Sequence, residues 1–583
     1  MGAMMSVTAQ DLHKEITVER EITPIEREAT RLNMTPLVSL PAVKSVSLRA
    51  SEQAVAARVR PLASFLEPAA YADTLYTSPY RGYVAGGIFP LPFNAGVSAG
   101  YKFVDNDRMR LTAWMQFDSE NYKRKPYYRT DVVDSKDNIY WRENTVAVGA
   151  DFRVAVGKVS TLGASLDYMY NRAGNYESAF DTDETYLTRY YRTATRLNAR
   201  IGWISEVDAL DYTASFNFRR SAYGKHHPLL MVEDPQGPEY MRVSPVAENN
   251  YTLNLLGTLP FSDEADVHLG ADLSLLHRGE GFYPAYISPD MTVFAPKGSG
   301  TDGLLSLTPG YRYGSTHFTV AVGARLDISF NEGKVFHVSP DVTVAWTPST
   351  FFAIEGRVTG GVEQNSLSTL WDVSRYCLPA AAYGYSHVPF DVSGKVTIGP
   401  FKGGYLQFFG SYAKASDWLM PVAGDESASV AMFVPVGIKG YHLGAEIGYK
   451  WRDKIKARVS YTTAPQDYDK GYYQWRDRAR HVVDVSLTVN PVKNLDVEAS
   501  FMLRGGRKII TRENWNDGGI PMSAFSTVML KNRSSLSLRA NYALSERLSV
   551  FASGDNLLNH TSYDISLRPD MGISFLVGAA YKF

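Results

Sequence analysis

The stretch FLVGAAYKF (575–583) puts Phe575, Val577, Ala579, Tyr581 and Phe583 on one side of an extended chain. Leu576, Gly578, Ala580 and Lys582 fall on the other. Alternation of period two is the pattern of a strand with one face in an apolar phase. A free terminus usually frays, so a strand that stays regular to its last residue must be held in a sheet.

The same alternation returns along the chain from about residue 81. In TLGASLDYMY (161–170), Leu162, Ala164, Leu166, Tyr168 and Tyr170 share a face. In RLNARIGW (196–203), Leu197, Ala199, Ile201 and Trp203 oppose Arg196, Asn198 and Arg200. YHLGAEIGYKW (441–451) sets Tyr441, Leu443, Ala445, Ile447, Tyr449 and Trp451 against His442, Glu446 and Lys450. LDVEASFML (495–503) sets Leu495, Val497, Ala499, Phe501 and Leu503 against Asp496, Glu498 and Ser500. These runs are about 9 to 15 residues long, beyond the 5–6 of soluble strands, and nine to eleven tilted residues span a bilayer. Their apolar faces end in Tyr, Trp or Phe, as an interfacial aromatic girdle requires.

Connections alternate in length. Short turns such as VDND (104–107), VGK (156–158) and PVKN (491–494) alternate with long polar loops near 123–143, 176–194, 224–247, 279–300, 365–388, 419–438, 466–479 and 508–532. Short periplasmic turns and long outside loops in this order predict an all-β, transmembrane antiparallel barrel over 81–583. The strand count is about 22, with 20 also compatible. An unpaired strand edge is too costly in lipid, so the last strand must pair with the first.

Composition agrees. Sixty basic and 61 acidic residues give a net charge of −1, which argues against nucleic acid as a partner. The single cysteine, Cys377, allows no intrachain disulfide and no thiolate metal cluster. No run approaches 18 consecutive apolar residues, and the mean hydropathy of −0.21 suits a barrel whose inward faces are polar.

Residues 554–563, GDNLLNHTSY, carry a family likeness. Gly554, Asn556, Leu557, Leu558, Asn559 and Tyr563 resemble the G-x-NLF-[DN]-x-x-x-Y pattern before the last strand of TonB-dependent receptors. FLVGAAYKF is similar to that family's last strand, whose terminal aromatic resembles the signal read by the barrel assembly machinery through Phe575, Val577, Ala579, Tyr581 and Phe583. The resemblance implies a 22-strand barrel in the outer membrane of a Gram-negative bacterium, in contact with outer-membrane lipids and lipopolysaccharide. It also implies transport, with TonB or surface and periplasmic lipoproteins as partners.

The N-terminal region departs from that family. Residues 1–9, MGAMMSVTA, read as the remnant of a secretory signal peptide, with Val7 and Ala9 at the −3 and −1 positions. Cleavage just before Gln10 resembles exported proteins of the Bacteroidetes. Between there and the first strand, 10–80 is too short for the family's plug domain. It is extended chain punctuated by Pro24, Pro36, Pro41, Pro61 and Pro68, read as a reduced plug that is periplasmic or fills the lumen. Glu15, Ile16, Thr17 and Val18 loosely resemble a TonB box; an acidic and basic linker is the alternative.

Inward positions carry Arg196, Arg200, Arg325, Asp327, Glu446, Lys450, Arg458, Asp496, Glu498 and Arg539. Charges of both signs imply water or a polar filling, and a barrel this wide needs a plug. The aromatic and basic stretches 122–131, 186–193 and 471–477 could stack on sugars or bind lipopolysaccharide, though solvated loops look the same. No catalytic site emerges: the histidines at 226, 227, 268, 277 and 317 are scattered, DTDE (181–184) is an incomplete calcium loop, and no HExxH occurs. No metal or cofactor is expected. The expected function is passage of a solute across the outer membrane, passive or gated, with the lumen occluded by the N-terminal segment or by loops. The alternative is a non-transporting scaffold that anchors lipoprotein or other partners.

Overall fold

The computed structural model describes residues 80–583 except 91–92, 126, 128–138, 181–184, 208–209, 225–230, 235–236, 241–245, 263, 280–299, 332–334, 375, 377–383, 424–430, 453, 465–478, 518–519 and 565–566. The leader (1–9), the segment from 10 to 79 and the TonB-box-like Glu15, Ile16, Thr17 and Val18 therefore lie outside the described residues. So do Cys377 and the 181–184 and 226–227 motifs.

Twenty-five strands, from β1 (Gly82–Pro90) to β25 (Ser574–Lys582), and one helix, α1 (Leu367–Val373), occur among the described residues. β8 (Met231–Asp234) and β9 (Gly237–Tyr240) form a separate hairpin. β22 (Ile520–Leu530) and β23 (Arg533–Ala543) both pair with β21 (Leu495–Asp517), so together they make one descending arm. Setting aside β8, β9 and the β22 half of that arm leaves 22 antiparallel strands in a closed wall.

The closure answers the demand of the C-terminal stretch. β25 pairs with β1, Tyr83 opposite Lys582 and Ile88 opposite Val577, and with β24 (Leu548–Asp555) on its other side. Even the terminal residue is in the ladder: Arg81 and Gly82 N–H donate to the Phe583 carbonyl at 2.8 and 2.9 Å, and Phe583 N–H donates to Gly82 at 3.0 Å. Phe575, Val577, Tyr581 and Phe583 point outward and are exposed, whereas Leu576 and Ala580 pack with Ala85 and Phe551 on the inner side of the seam.

Loop lengths alternate as the sequence predicts, with two exceptions. β1 joins β2 (Phe93–Asp105) through 91–92, and β13 (Phe318–Phe330) joins β14 (Phe336–Ser349) through 331–335, both short links at the long-loop end. Much of the expected loops at 176–194, 419–438 and 508–532 is strand. β5 (Ser160–Phe180) and β6 (Thr185–Val207) continue to within a few residues of each other, as do β17 (Gly404–Ala423) and β18 (Ala431–Trp451), and β21 with β22. Beyond the bilayer both faces of a strand are wet, so the apolar alternation stops while backbone pairing goes on.

Leu166, Ile201, Phe216, Leu253, Leu443 and Ile447 are among the outward apolar side chains that remain exposed. A closed wall with an apolar belt satisfies every backbone group internally, as a bilayer demands; this is an outer-membrane barrel. Leu166, 52% exposed, lies in that belt, and its neighbour Ser165 faces inward. Leu166→Arg is expected to destabilise the barrel by about 2–4 kcal/mol near the bilayer midplane. Ser165→Arg should cost far less, and urea unfolding in lipid vesicles measures both.

Candidate functional site in the barrel mouth

α1 lies at the long-loop end, between β15 (Phe352–Gln364) and β16 (Tyr385–Phe401). Its start is fixed locally: Ser366 caps it by accepting from Thr369 N–H at 3.1 Å, and the Thr369 hydroxyl accepts from Ser366 N–H at 2.9 Å. Leu367, Leu370 and Trp371 share one helical face. They pack with Ala194 on β6, Tyr223 on β7 (Leu210–Tyr223) and Val246 on β10 (Val246–Ser262), and with Leu419 on β17 and Phe433 on β18. Six further strands of the wall separate β10 from β17, so α1 bridges two distant parts of the rim from inside.

Polar contacts grip α1 along one side. Both carboxylate oxygens of buried Glu248 accept from Leu367 N–H, at 3.1 and 3.0 Å. Arg196 donates to Asp372 at 2.9 Å and to the Ser368 carbonyl at 3.2 Å. Arg219 donates to the Ser368 hydroxyl at 3.1 Å and is steadied by Asn198, which itself donates to Asp167. Trp371 stacks on Tyr223 with centroids 5.7 Å apart.

A second segment, 556–573, turns inward between β24 and β25. Its bend needs residues that tolerate the left-handed region: Asn556 has φ +47° and Asn559 φ +51°. The Asn556 amide donates to the His560 and Met571 carbonyls and accepts from His560 N–H, tying the two ends together. Arg124 and Ile573 N–H both donate to the Asn559 side chain. Tyr563 meets Tyr127 edge-on at 5.0 Å, and burial pushes its hydroxyl pKa up from the ordinary tyrosine value. Arg507 donates to the Tyr563 carbonyl at 2.7 Å, and Arg533 pairs with Asp570 at 3.0 Å.

The two insertions meet around Arg568, which has no exposed surface. Its Nε donates to the Tyr122 hydroxyl at 3.0 Å and Nη1 to the Gly174 carbonyl at 3.3 Å. Its guanidinium lies 4.2 Å from the Tyr376 ring centroid and 5.0 Å from that of Trp141. Nη2 is 3.9 Å from Glu143, the acceptor that Tyr376 and Asn171 also use. Tyr376 follows α1 and Arg568 belongs to the second insertion, so Glu143 on β4 (Ile139–Val156) fastens both to the wall.

The inward charges expected from sequence fall into two groups. Arg196 grips α1. Half-buried Arg325 and buried Asp327 pair at 2.9 Å and also hold the Val362 backbone; Gly361 beside them has φ +146°, and a Cβ there would sit 2.7 Å from Arg325 Nε. The others lie in the half nearer the short turns. Glu446 takes Arg458 at 3.1 Å and Tyr405 at 2.8 Å. Asp496 accepts from Asn490 at 2.7 Å, and Glu498 stands opposite Arg539 in register. Arg200 and Lys450 are exposed. The sequence reading did not single out Glu143, Glu248, Arg219, Trp371, Tyr376 or Arg568, and it touched Arg192 only as part of the stretch 186–193. Among the described residues, no group of three or more His, Cys, Asp or Glu is placed to hold a metal ion.

No protein-family model matches the chain, and no curated protein matches it. Solved structures do share its fold. The ferric enterobactin receptor of Pseudomonas aeruginosa aligns with a TM-score of 0.64 at 11% identity, covering 86% of this chain and 80% of that one. The ferripyoverdine receptor of the same organism's outer membrane gives 0.59 at 11% identity, covering 86% and 72%. The FrpB iron transporter of Neisseria meningitidis gives 0.59 at 13% identity, covering 87% and 82%. At such identities the likeness is one of architecture: the chain has the barrel fold of outer-membrane receptors and transporters.

Proposed function

We propose that this barrel passes a solute across the outer membrane by a gated route, with α1 and residues 556–573 closing its mouth. The observation that carries this reading is the attachment of α1 to both sides of the rim: Glu248, Arg196 and Arg219 hold it on β10, β6 and β7, and Leu419 and Phe433 pack against it from β17 and β18. Charged hydrogen bonds of this kind are replaced by water when a segment swings out, so held and released states can lie close in free energy. The shared fold with proteins described as receptors and a transporter supports the same reading.

Conductance in planar bilayers tests it. The intact protein is expected to be nearly silent, and replacing 367–373 by a Gly/Ser linker should produce steps. Silence from both, with a folded barrel, would sink loop gating. Removing 11–80 as well separates a lumen-filling N-terminal segment from the loops: steps that appear only then assign the seal to that segment. In the TonB-energised version, deleting 14–21, which contains Glu15, Ile16, Thr17 and Val18, abolishes uptake; in the passive version it changes nothing.

The second reading, a sealed scaffold for lipoprotein or other partners, draws on the fully buried Glu143–Tyr376–Arg568 cluster, since a contact this dry also suits permanent closure. It requires silence from every variant and recovery of a stoichiometric partner.

A further inference from the structure

The carboxylates that face the mouth are engaged: Glu248 by the start of α1, Asp372 by Arg196, Glu143 by Tyr376, Asn171 and Arg568. One cation is not. Arg192 lies on the inward face of β6, four residues before Arg196 on the same face, and is 2% exposed. None of its three guanidinium nitrogens has a hydrogen-bond partner among the described residues. Its guanidinium lies instead over a ring, with the guanidinium carbon 3.6 Å from the Tyr223 centroid. Trp371 stacks on Tyr223 in turn, and Arg196, whose own Nε also has no partner, lies 5.1 Å from the Trp371 ring.

A buried charge without a counter-charge is strongly unfavourable, and an unsatisfied buried group in a folded protein calls for an explanation. Stacking against Tyr223 covers one face of the guanidinium and leaves its N–H edge for in-plane donation, the geometry that takes a carboxylate or phosphate through two parallel hydrogen bonds. We infer that Arg192, backed by Tyr223 and Trp371, is the anchor of an anion-binding site in the barrel mouth. Its ligand is the carboxylate or phosphate group of a soluble solute. Arg192 faces the lumen and not the lipid, which favours a solute over a lipid headgroup. This names the substrate class for the transport reading above and rests on it. Tyr223 carries both Arg192 and Trp371 of α1, so an anion that engages Arg192 disturbs the ring that α1 rests on, and anion binding and displacement of α1 are coupled.

Tryptophan fluorescence of the full-length protein in detergent tests the site, titrated with citrate and separately with inorganic phosphate at constant ionic strength set by chloride. The wild type is expected to give a saturable change with at least one of the two. Arg192→Gln should weaken it at least tenfold, and Arg192→Lys, which keeps the charge but loses the fork, should also weaken it. Heat-modifiable migration shows that each variant is folded; if Arg192→Gln fails to fold, Arg192→Lys carries the test. No response from the wild type, or equal affinities in wild type and both folded variants, overturns the site. A response to lipid A in mixed micelles with none to citrate or phosphate overturns the soluble-solute assignment. Binding is read without conductance, so a site that binds in a barrel that never opens would defeat transport and leave the site standing.

Discussion

Arg568→Ala is expected to unlatch the barrel mouth while leaving the wall intact. The side chain is fully buried, and its removal takes a cation away from Glu143, itself 2% exposed and also bonded by Asn171 and Tyr376. Breaking a buried pair from one side typically costs about 3–5 kcal/mol, because an uncompensated charge stays behind. At about 1.4 kcal/mol per tenfold, that shifts the closed-to-open ratio by roughly two to four orders of magnitude. The contrast is Lys395–Glu355, a pair whose side chains are 36% and 44% exposed. Such a surface pair is worth about 0–1 kcal/mol, so Lys395→Ala should change nothing. The measurements are conductance and protease cleavage within 556–573, with heat-modifiable migration reporting the wall. Glu143→Gln combined with Arg568→Met removes both charges and should recover much of the closure. If Arg568→Ala conducts and resists protease like the wild type, the latch assignment fails.

That latch could not be read from the chain, and the reason is physical. Inside the bilayer one face of each strand meets lipid, so the wall announces itself in stretches such as 161–170 and 441–451. Glu143 and Glu248 sit at ordinary inward positions of alternating strands, where polar residues are the rule. What distinguishes them is a partner 233 residues away in Tyr376 and one 119 residues away in Leu367. Nothing local encodes those distances. α1 was hidden for another reason: seven residues give barely two turns, too few for a 3.6-residue period to stand out inside a region that otherwise reads as a loop. Its capping box uses Thr369 in place of the usual Glu or Gln. Residues 554–563 lie between these cases. Their family pattern is visible in the sequence, while its cause appears only in the fold: Asn556 and Asn559 take the positive φ that lets 556–573 turn back into the mouth. The roles of the inward charges could not be read from the sequence, since Arg196 and Arg200 lie on the same strand face and it is Arg196 that reaches Asp372 on α1.

Truncation after residue 573 should have the largest effect of any change considered, because it removes β25 and reopens the wall. β25 pairs with β1 from Tyr83 to Ile88 and with β24 from Leu548 to Asp555. Its loss leaves two strand edges facing lipid, where each unsatisfied backbone group costs several kcal/mol. A domain has only about 5–15 kcal/mol of net stability, so a handful of such groups exceeds what the remaining wall can offset. The inner side of the seam would go as well, since Leu576 and Ala580 are what Ala85 and Phe551 pack against. The truncated chain is expected to be absent from the outer-membrane fraction and to show no heat-modifiable form. Deleting Phe583 alone separates assembly from stability. It removes the acceptor for Arg81 and Gly82 N–H and the stack on Tyr101 at 6.1 Å, a loss of about 1–3 kcal/mol of hydrogen bonding, yet leaves the β25 ladder in place. That protein, once folded in vitro, should hold its barrel, and a large drop in its amount in the outer membrane would then mark Phe583 as part of the signal by which the barrel is assembled.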